Sequence, residues 1–364
     1  MRSWWQLLRR HGFAVDARYL YFAAVDTVVS IVNSALAAIE HALYARRVSE
    51  TKPPEIIFIV GHWRSGTTLL HELLCLDPRH VSPTTYECLA PHHFLLTESV
   101  LPRLLKFLMP ERRPVDDMKL GWTSPFEDEF ALCLLGARSP YETIAFPRTS
   151  RLTPALLDPD ALTPGEAQAW RETMLSLMRK LGVRYPGRRL VLKSPPHTCR
   201  IRVLLELFPT ARFVHIVRDP LDVFPSTLNL WRTLHRTQGL QRPSEDGLDE
   251  SVLATFEYMH ACIERDRSLL PQGRFHELRY EDLIREPVEE LSRLHAAISI
   301  DPCPQLAEAV RAYFAERADY RTNVFAMTPA QRNLIHRRWA HVIARYGYDG
   351  APGAIKPESS AAMR

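Results

Sequence analysis

The sequence predicts an α/β fold: a P-loop-type, mostly parallel sheet flanked by helices, preceded by an N-terminal amphipathic helix. Three observations lead there. Four short apolar runs, IIFIV (56–60), RLVLK (189–193), RFVHIVR (212–218) and RFHELRY (274–280), read as strands. Helical patterns lie between them, the alternation expected of a parallel sheet covered on both faces. Directly after the first run comes GHWRSGTT (61–68), bounded by Gly61 and Gly66. A tight turn that opens a helix aims backbone N–H groups at one point and so forms an anion site.

Ahead of the first strand, Val25, Val28, Val32, Leu36, Ile39 and Leu43 recur at three- and four-residue steps, one face of a helix. Asp26, Ser30, Asn33 and Glu40 fall on another face. Asp26 and Glu40 confine the uncharged run between them to 13 residues (27–39), short of the ~20 needed to span a bilayer. The apolar face is therefore expected to be buried against the domain or in a homodimer. Peripheral contact with a membrane surface, helped by Trp4, Trp5, Arg9 and Arg10, is the other reading.

After the loop, a helix is expected from Thr67 to about Leu76, ended by Asp77-Pro78. PPHTCRIRVLLELFP (195–209) continues the second strand into a helix stopped before Pro209, and Pro220 opens the helix after the third. TPGE (163–166) and TPAQ (328–331) each put Thr at an N-cap, Pro at the first helical position and Glu or Gln at the third. Gly182 and Gly347 are the expected stops. The chain thus divides into a helical extension (1–50), an α/β domain (51–350) with a helical and loop insertion (77–188), and a disordered tail (351–364).

Composition narrows the function. Lys+Arg 46 against Asp+Glu 42 leaves +4, too slight an excess to imply nucleic-acid binding. The six cysteines are scattered without CxxC or Cys/His ligand spacing, as for reduced thiols in the cytoplasm. MRSWWQLLRRHGF has no apolar core or small-residue cleavage site, so no signal peptide is expected. The expected location is cytoplasmic, or peripheral at the membrane.

In the loop, Ser65, Thr67 and Thr68 offer hydroxyls and Arg64 a guanidinium, but the lysine of a nucleoside-triphosphate loop does not follow Gly66. Without it the grip on β- and γ-phosphates is lost, which points to a nucleotide with a shorter 5′ chain. HWRSGTT resembles the PRSGTT loop of sulfotransferases that use 3′-phosphoadenosine 5′-phosphosulfate (PAPS), in particular the bacterial-type group, and departs from it at His62-Trp63. FVHIVRDPLDVFPST (213–227) is similar to the family's second signature: a strand, an arginine at its end, a serine eight residues on. VLKSPPHT (191–198) is similar to its catalytic-lysine segment. The resemblance covers residues 54–235, and more faintly YEDL (280–283). The RKGxxGDWK clamp of the cytosolic small-molecule enzymes is absent.

The resemblance implies in-line transfer of a sulfuryl group from PAPS to a hydroxyl or amine. Arg64, Ser65, Gly66, Thr67 and Thr68 would hold the 5′-phosphosulfate, while Arg218 and Ser226 would hold the 3′-phosphate. Lys193, with Arg64, would neutralise the departing oxygen, and no metal is expected. For the base, Glu87 stands first, with His197, Glu127 or its neighbours Asp128 and Glu129, and His92 or His93 as alternatives. The acceptor is left as a small molecule, a glycan or a lipid. The competing readings are a P-loop kinase of a nucleotide or small molecule, and a non-catalytic nucleotide-binding protein.

Overall fold

The four apolar runs form four of five parallel strands, in the order β2-β3-β1-β4-β5. They are β1 (Ile56–Val60), β2 (His80–Val81), β3 (Arg189–Lys193), β4 (Arg212–Val217) and β5 (Phe275–Arg279). The computed structural model describes residues 1–108, 121–150, 152–317 and 325–349; the expected tail, 351–364, lies outside the described residues. β1 is central, with Ile57 beside Val191 of β3 and Phe58 beside Phe213 of β4. All five of its residues are buried, which is why it reads as an unbroken apolar run rather than an alternation.

The two faces of β1 feed two cores. Phe58 and Val60 pack with Trp170, Met174, Leu181 and Phe213, while Ile57 and Ile59 pack with Leu70, Leu74, Leu291 and Leu294. Fully burying each such side chain contributes roughly 1.5–3 kcal/mol. β3 and β4 lie on opposite sides of β1, so the chain leaves β1 in one direction and returns in the other. Ligands of open α/β sheets bind at the carboxyl ends of strands at such a point. The loops after β1, β3 and β4 all open there.

Both capping boxes form, at Thr163–Glu166 and Thr328–Gln331. Gly182, however, does not stop its helix, which continues to Arg184. A Cβ at Gly182 would lie 3.0 Å from Thr51 Cγ2 and 3.2 Å from Lys52 O, so this glycine lets the approach to β1 cross the helix closely. β2 adds a two-residue edge strand that no periodic pattern announced.

The N-terminal segment forms α1 (Arg2–Arg10) and α2 (Leu20–Glu50). The face of α2 carrying Val25, Val28, Val32, Ile39 and Leu43 is not buried against the domain, as one expectation had it, but exposed. The polar face docks instead. Asn33 Oδ1 lies 3.0 Å from His93 Nε2, and Glu40 accepts the Leu96 backbone N–H and pairs with Lys180. Thr27 accepts a 3.0 Å bond from Trp4 Nε1 of α1. These buried polar groups have partners only in this orientation, and leaving one unmade would cost about 1–3 kcal/mol.

Gly182→Val tests the crossing. The added carbons meet backbone as well as Thr51, so a loss of about 1–3 kcal/mol is expected in denaturant unfolding. A neutral effect would mean the crossing is loose.

Candidate active site

β1 ends in a loop whose shape depends on two glycines. Gly61 has φ +144° and Gly66 φ +97°, values that side chains rarely adopt. A Cβ on Gly61 would sit 2.5 Å from the Ile216 carbonyl, and one on Gly66 would sit 2.3 Å from the Tyr280 ring. Gly66 N-caps α3 (Thr67–Leu74). The loop is also tied across the sheet: the Gly61 N–H donates to Thr198 Oγ1 at 2.8 Å, and Ser65 Oγ donates to the His62 carbonyl at 2.7 Å. His62 and Trp63, the departures from the family pattern, are buried against Phe256 and Trp231. Burial holds the His62 imidazole down to about 4, so it packs as a neutral ring.

The loop after β3 is held by three successive acids from the start of the helix Asp128–Leu135. Glu127, its N-cap residue, pairs with Lys193. Asp128 accepts from Ser194 Oγ at 2.8 Å and lies 2.8 Å from His197 Nε2. Glu129 pairs with Arg200, whose guanidinium also stacks on Trp170. All three acids turn inward, each to its own partner on this loop. The outermost pair is the accessible one. Glu127 retains 14% side-chain exposure, whereas Asp128, His197, Glu129 and Arg200 are all buried.

Lys193 lies next to the phosphate loop, with its Nζ 3.3 Å from Thr68 Oγ1. Glu127 has a second partner, the Tyr141 hydroxyl, which in turn accepts a 3.3 Å bond from Trp63 Nε1. Burial and the Glu127 carboxylate raise the Tyr141 phenol well above its ordinary value, so it remains a donor. Phe126 and Phe130, half-buried, continue the aromatic surface to Tyr141.

A second group of cations meets the loop after β4. Arg64, at φ +68°, donates through Nε to Ser226 Oγ at 2.9 Å. Arg218 stacks 4.5 Å above the Tyr280 ring and pairs with Asp222 at 3.0 Å. Its Nε is a buried donor without a partner among the described residues. Arg64 with Ser226, and Arg218 on Tyr280, thus stand on one side of the N-terminus of α3, and Lys193 with Glu127 reaches the same helix end at Thr68. An anion with two phosphate-like ends fits the donor set, the Arg218 Nε–H being the donor it would most plainly engage.

Of the other candidates, His197 is buried beneath the site, its ring edge-on to Phe58. His93 holds α2 and Thr97, and His92 contacts the Leu134 carbonyl. Glu87 is spent on a capping box with Thr84 and faces Arg184 and Tyr185, none of which belongs to the loop. Tyr280 and Tyr141 were not among the expected candidates; YEDL, at the end of β5, carried a signal for Tyr280, and Trp63 lay within the loop motif itself.

Burial, with Glu98 nearby, pushes the Glu87 carboxyl from 4.5 up to about 7. A raised folded value favours folding while the group is protonated, so this contribution is lost as pH climbs from 4.5 through 7. Glu87→Gln keeps an acceptor for the Thr84 N–H and abolishes the ionisation. Its melting temperature relative to the parent should therefore rise between pH 5 and pH 8. A pH-independent difference would contradict the assigned shift.

Comparison with known proteins converges on the same chemistry. A family model described as the sulfotransferase family matches residues 54–304. The omega-hydroxy-beta-dihydromenaquinone-9 sulfotransferases Stf3 of Mycobacterium bovis and Mycobacterium tuberculosis are each 45% identical over 361 residues, covering 98% of this chain and 92% of theirs. The crystal structure of sulfotransferase STF1 from Mycobacterium tuberculosis superposes with a TM-score of 0.64 at 17% identity, covering 92% of this chain and 90% of that one. It supports the fold. With a phosphate loop that lacks the triphosphate lysine, and with relatives this similar over nearly its full length, the chain belongs to the sulfotransferase family and is an enzyme of sulfuryl transfer from PAPS.

Proposed function

We propose that the acceptor is a hydroxyl of a lipid-like molecule and that Glu127, rather than Glu87, takes its proton while Lys193 stabilises the departing oxygen. The observation that carries this is the Lys193–Glu127 ion pair, half a site from the phosphate loop and the accessible end of an otherwise buried set. The donor nucleotide supplies the sulfuryl group; transfer is in-line through a loose, charge-rich transition state. Glu127 sits within reach of Lys193 and can accept a hydroxyl proton, and Tyr141, which stays protonated, orients the carboxylate. Lys193, linked to Thr68 on α3, is positioned to neutralise charge that develops on the bridging oxygen. The backbone N–H groups of Gly66, Thr67 and Thr68, with Ser65 and Arg64, would hold the 5′ end. Arg218 and Ser226 would hold the 3′-phosphate.

Two features support a lipid over a glycan. Phe126, Phe130 and Tyr141 form a run of rings beside Glu127. The most similar relatives reported above are named for a hydroxylated menaquinone. The free thiols suit a reducing compartment, which supports a cytoplasmic location.

Product carrying the mass of one added sulfate, formed from PAPS and a long-chain primary alcohol, reads the reaction directly. Lys193→Ala should lower kcat by about 10²–10³-fold, because it removes a preorganised donor needed mainly in the transition state. The rise in melting temperature given by adenosine 3′,5′-bisphosphate should persist in that variant. Glu127→Gln should also lose kcat, and a phenol, with its more acidic hydroxyl, should restore part of it. Full activity of Glu127→Gln with the alcohol would reassign the base.

A further inference from the structure

We infer that the outward face of α2 is a docking surface for an anionic lipid bilayer, set so that the active site works on acceptors held in that bilayer. The inference deepens the lipid-acceptor reading and rests on it for its purpose, although the surface itself is argued from α2 alone.

Tyr21, Val25, Val28, Val32, Ile39 and Leu43 form one exposed stripe; Val28 is 61% exposed and Leu43 66%. From Tyr21 to Leu43 it runs about 33 Å at the helical rise. A stripe of that size is beyond the scattered apolar residues of an ordinary surface. It cannot turn inward. Asn33 and Glu40, roughly a quarter turn round the helix from the stripe, are bonded to His93, Leu96 and Lys180, and Thr27, on its far side, is bonded to Trp4 of α1. The helix is thus fixed by its polar side and offers its apolar side.

The charges around the stripe select the occupant. Arg18 stands at its start and Arg46 and Arg47 at its end. Among the described residues, Arg18 and Arg47 form no ion pair, and Arg46 pairs only with the exposed Glu50. A second copy laid on the stripe would bring basic ends together whether the helices ran parallel or antiparallel. Anionic headgroups complement both ends. An apolar face framed by arginines and aromatic residues is the pattern of a helix lying in the interface plane.

α2 is also long and apolar enough to cross a membrane by length and composition. Spanning would break the Asn33 and Glu40 contacts and carry the Glu40 carboxylate into hydrocarbon, which is costly for a charged group. Lying on the surface keeps every one of them.

The full-length protein is floated with vesicles of phosphatidylcholine alone and with vesicles containing one quarter phosphatidylglycerol. Binding should favour the anionic vesicles and weaken in 0.5 M salt, given a screening length of about 10 Å at 0.1 M and ~3 Å at 1 M. Val32→Glu and Ile39→Glu change exposed positions, so folding is not at stake. Each should weaken vesicle binding by about tenfold or more while the melting shift with adenosine 3′,5′-bisphosphate is unchanged. Three results would overturn the inference: no flotation with either vesicle; protein that resists salt and alkaline carbonate, as a spanning helix does; or a solution dimer that Ile39→Glu converts to monomer. None of these depends on the acceptor. If vesicles bind but no lipid alcohol is sulfated, the lipid-acceptor reading fails and the docking surface stands.

Discussion

Three carboxylates in a row, Glu127, Asp128 and Glu129, meet three cationic or titratable partners spread along one strand end and its loop, Lys193, His197 and Arg200. Everything at the active end of the sheet depends on that contact. Taking charges out of water is expensive unless each is paired and its remaining hydrogen bonds are made, and breaking one such pair typically costs 3–5 kcal/mol. Ser194 and Ser139 supply the extra bonds. The pairing fixes the loop after β3, Thr198 in that loop holds Gly61, and Gly61 begins the phosphate loop. Position is thereby transmitted from a buried ionic contact to the backbone that would bind an anion. The innermost two pairs hold the structure, and the outermost keeps enough exposure for chemistry.

Legibility followed how local the determinant was. β1 and β3 were read to the residue because a fully buried strand is a bare apolar run between turns. The two Thr-Pro caps were equally plain, since a capping box is written within four residues. Arg64, Lys193, Arg218 and Ser226 were singled out through motifs at or just after strand ends, and the fold brings them to one end of the sheet. What was not legible was long-range. Glu127 and Lys193 are separated by 66 positions, and nothing local in SPFEDEF says that all three acids turn inward. Glu87 looked as well placed by spacing, yet its carboxylate satisfies its own helix start. Gly182 looked like a stop because a helix-ending glycine and a glycine at a close crossing are the same letter.

The N-terminal helix shows the same limit from the other side. Its periodicity is real, but α2 is apolar over much of its circumference, so the pattern does not say which face the domain accepts. Buried partners for Asn33 and Glu40 decide it. A few satisfied polar groups outweigh the apolar area left outside, provided that area is covered by something else. Fold and function are linked here: the same insertion that presents His93 and Leu96 to α2 leads on to Glu127 and the aromatic residues beside it.

The central claim is that Glu127 and Lys193 act as one catalytic unit across the acceptor hydroxyl and the departing oxygen. A double-mutant cycle on kcat/KM for sulfuryl transfer to a primary alcohol, with Lys193→Ala, Glu127→Gln and the double variant, measures their coupling directly. The account predicts strong non-additivity, the double variant being little worse than the poorer single one. Losses that simply add would contradict it, and would mean that the two groups act independently of each other.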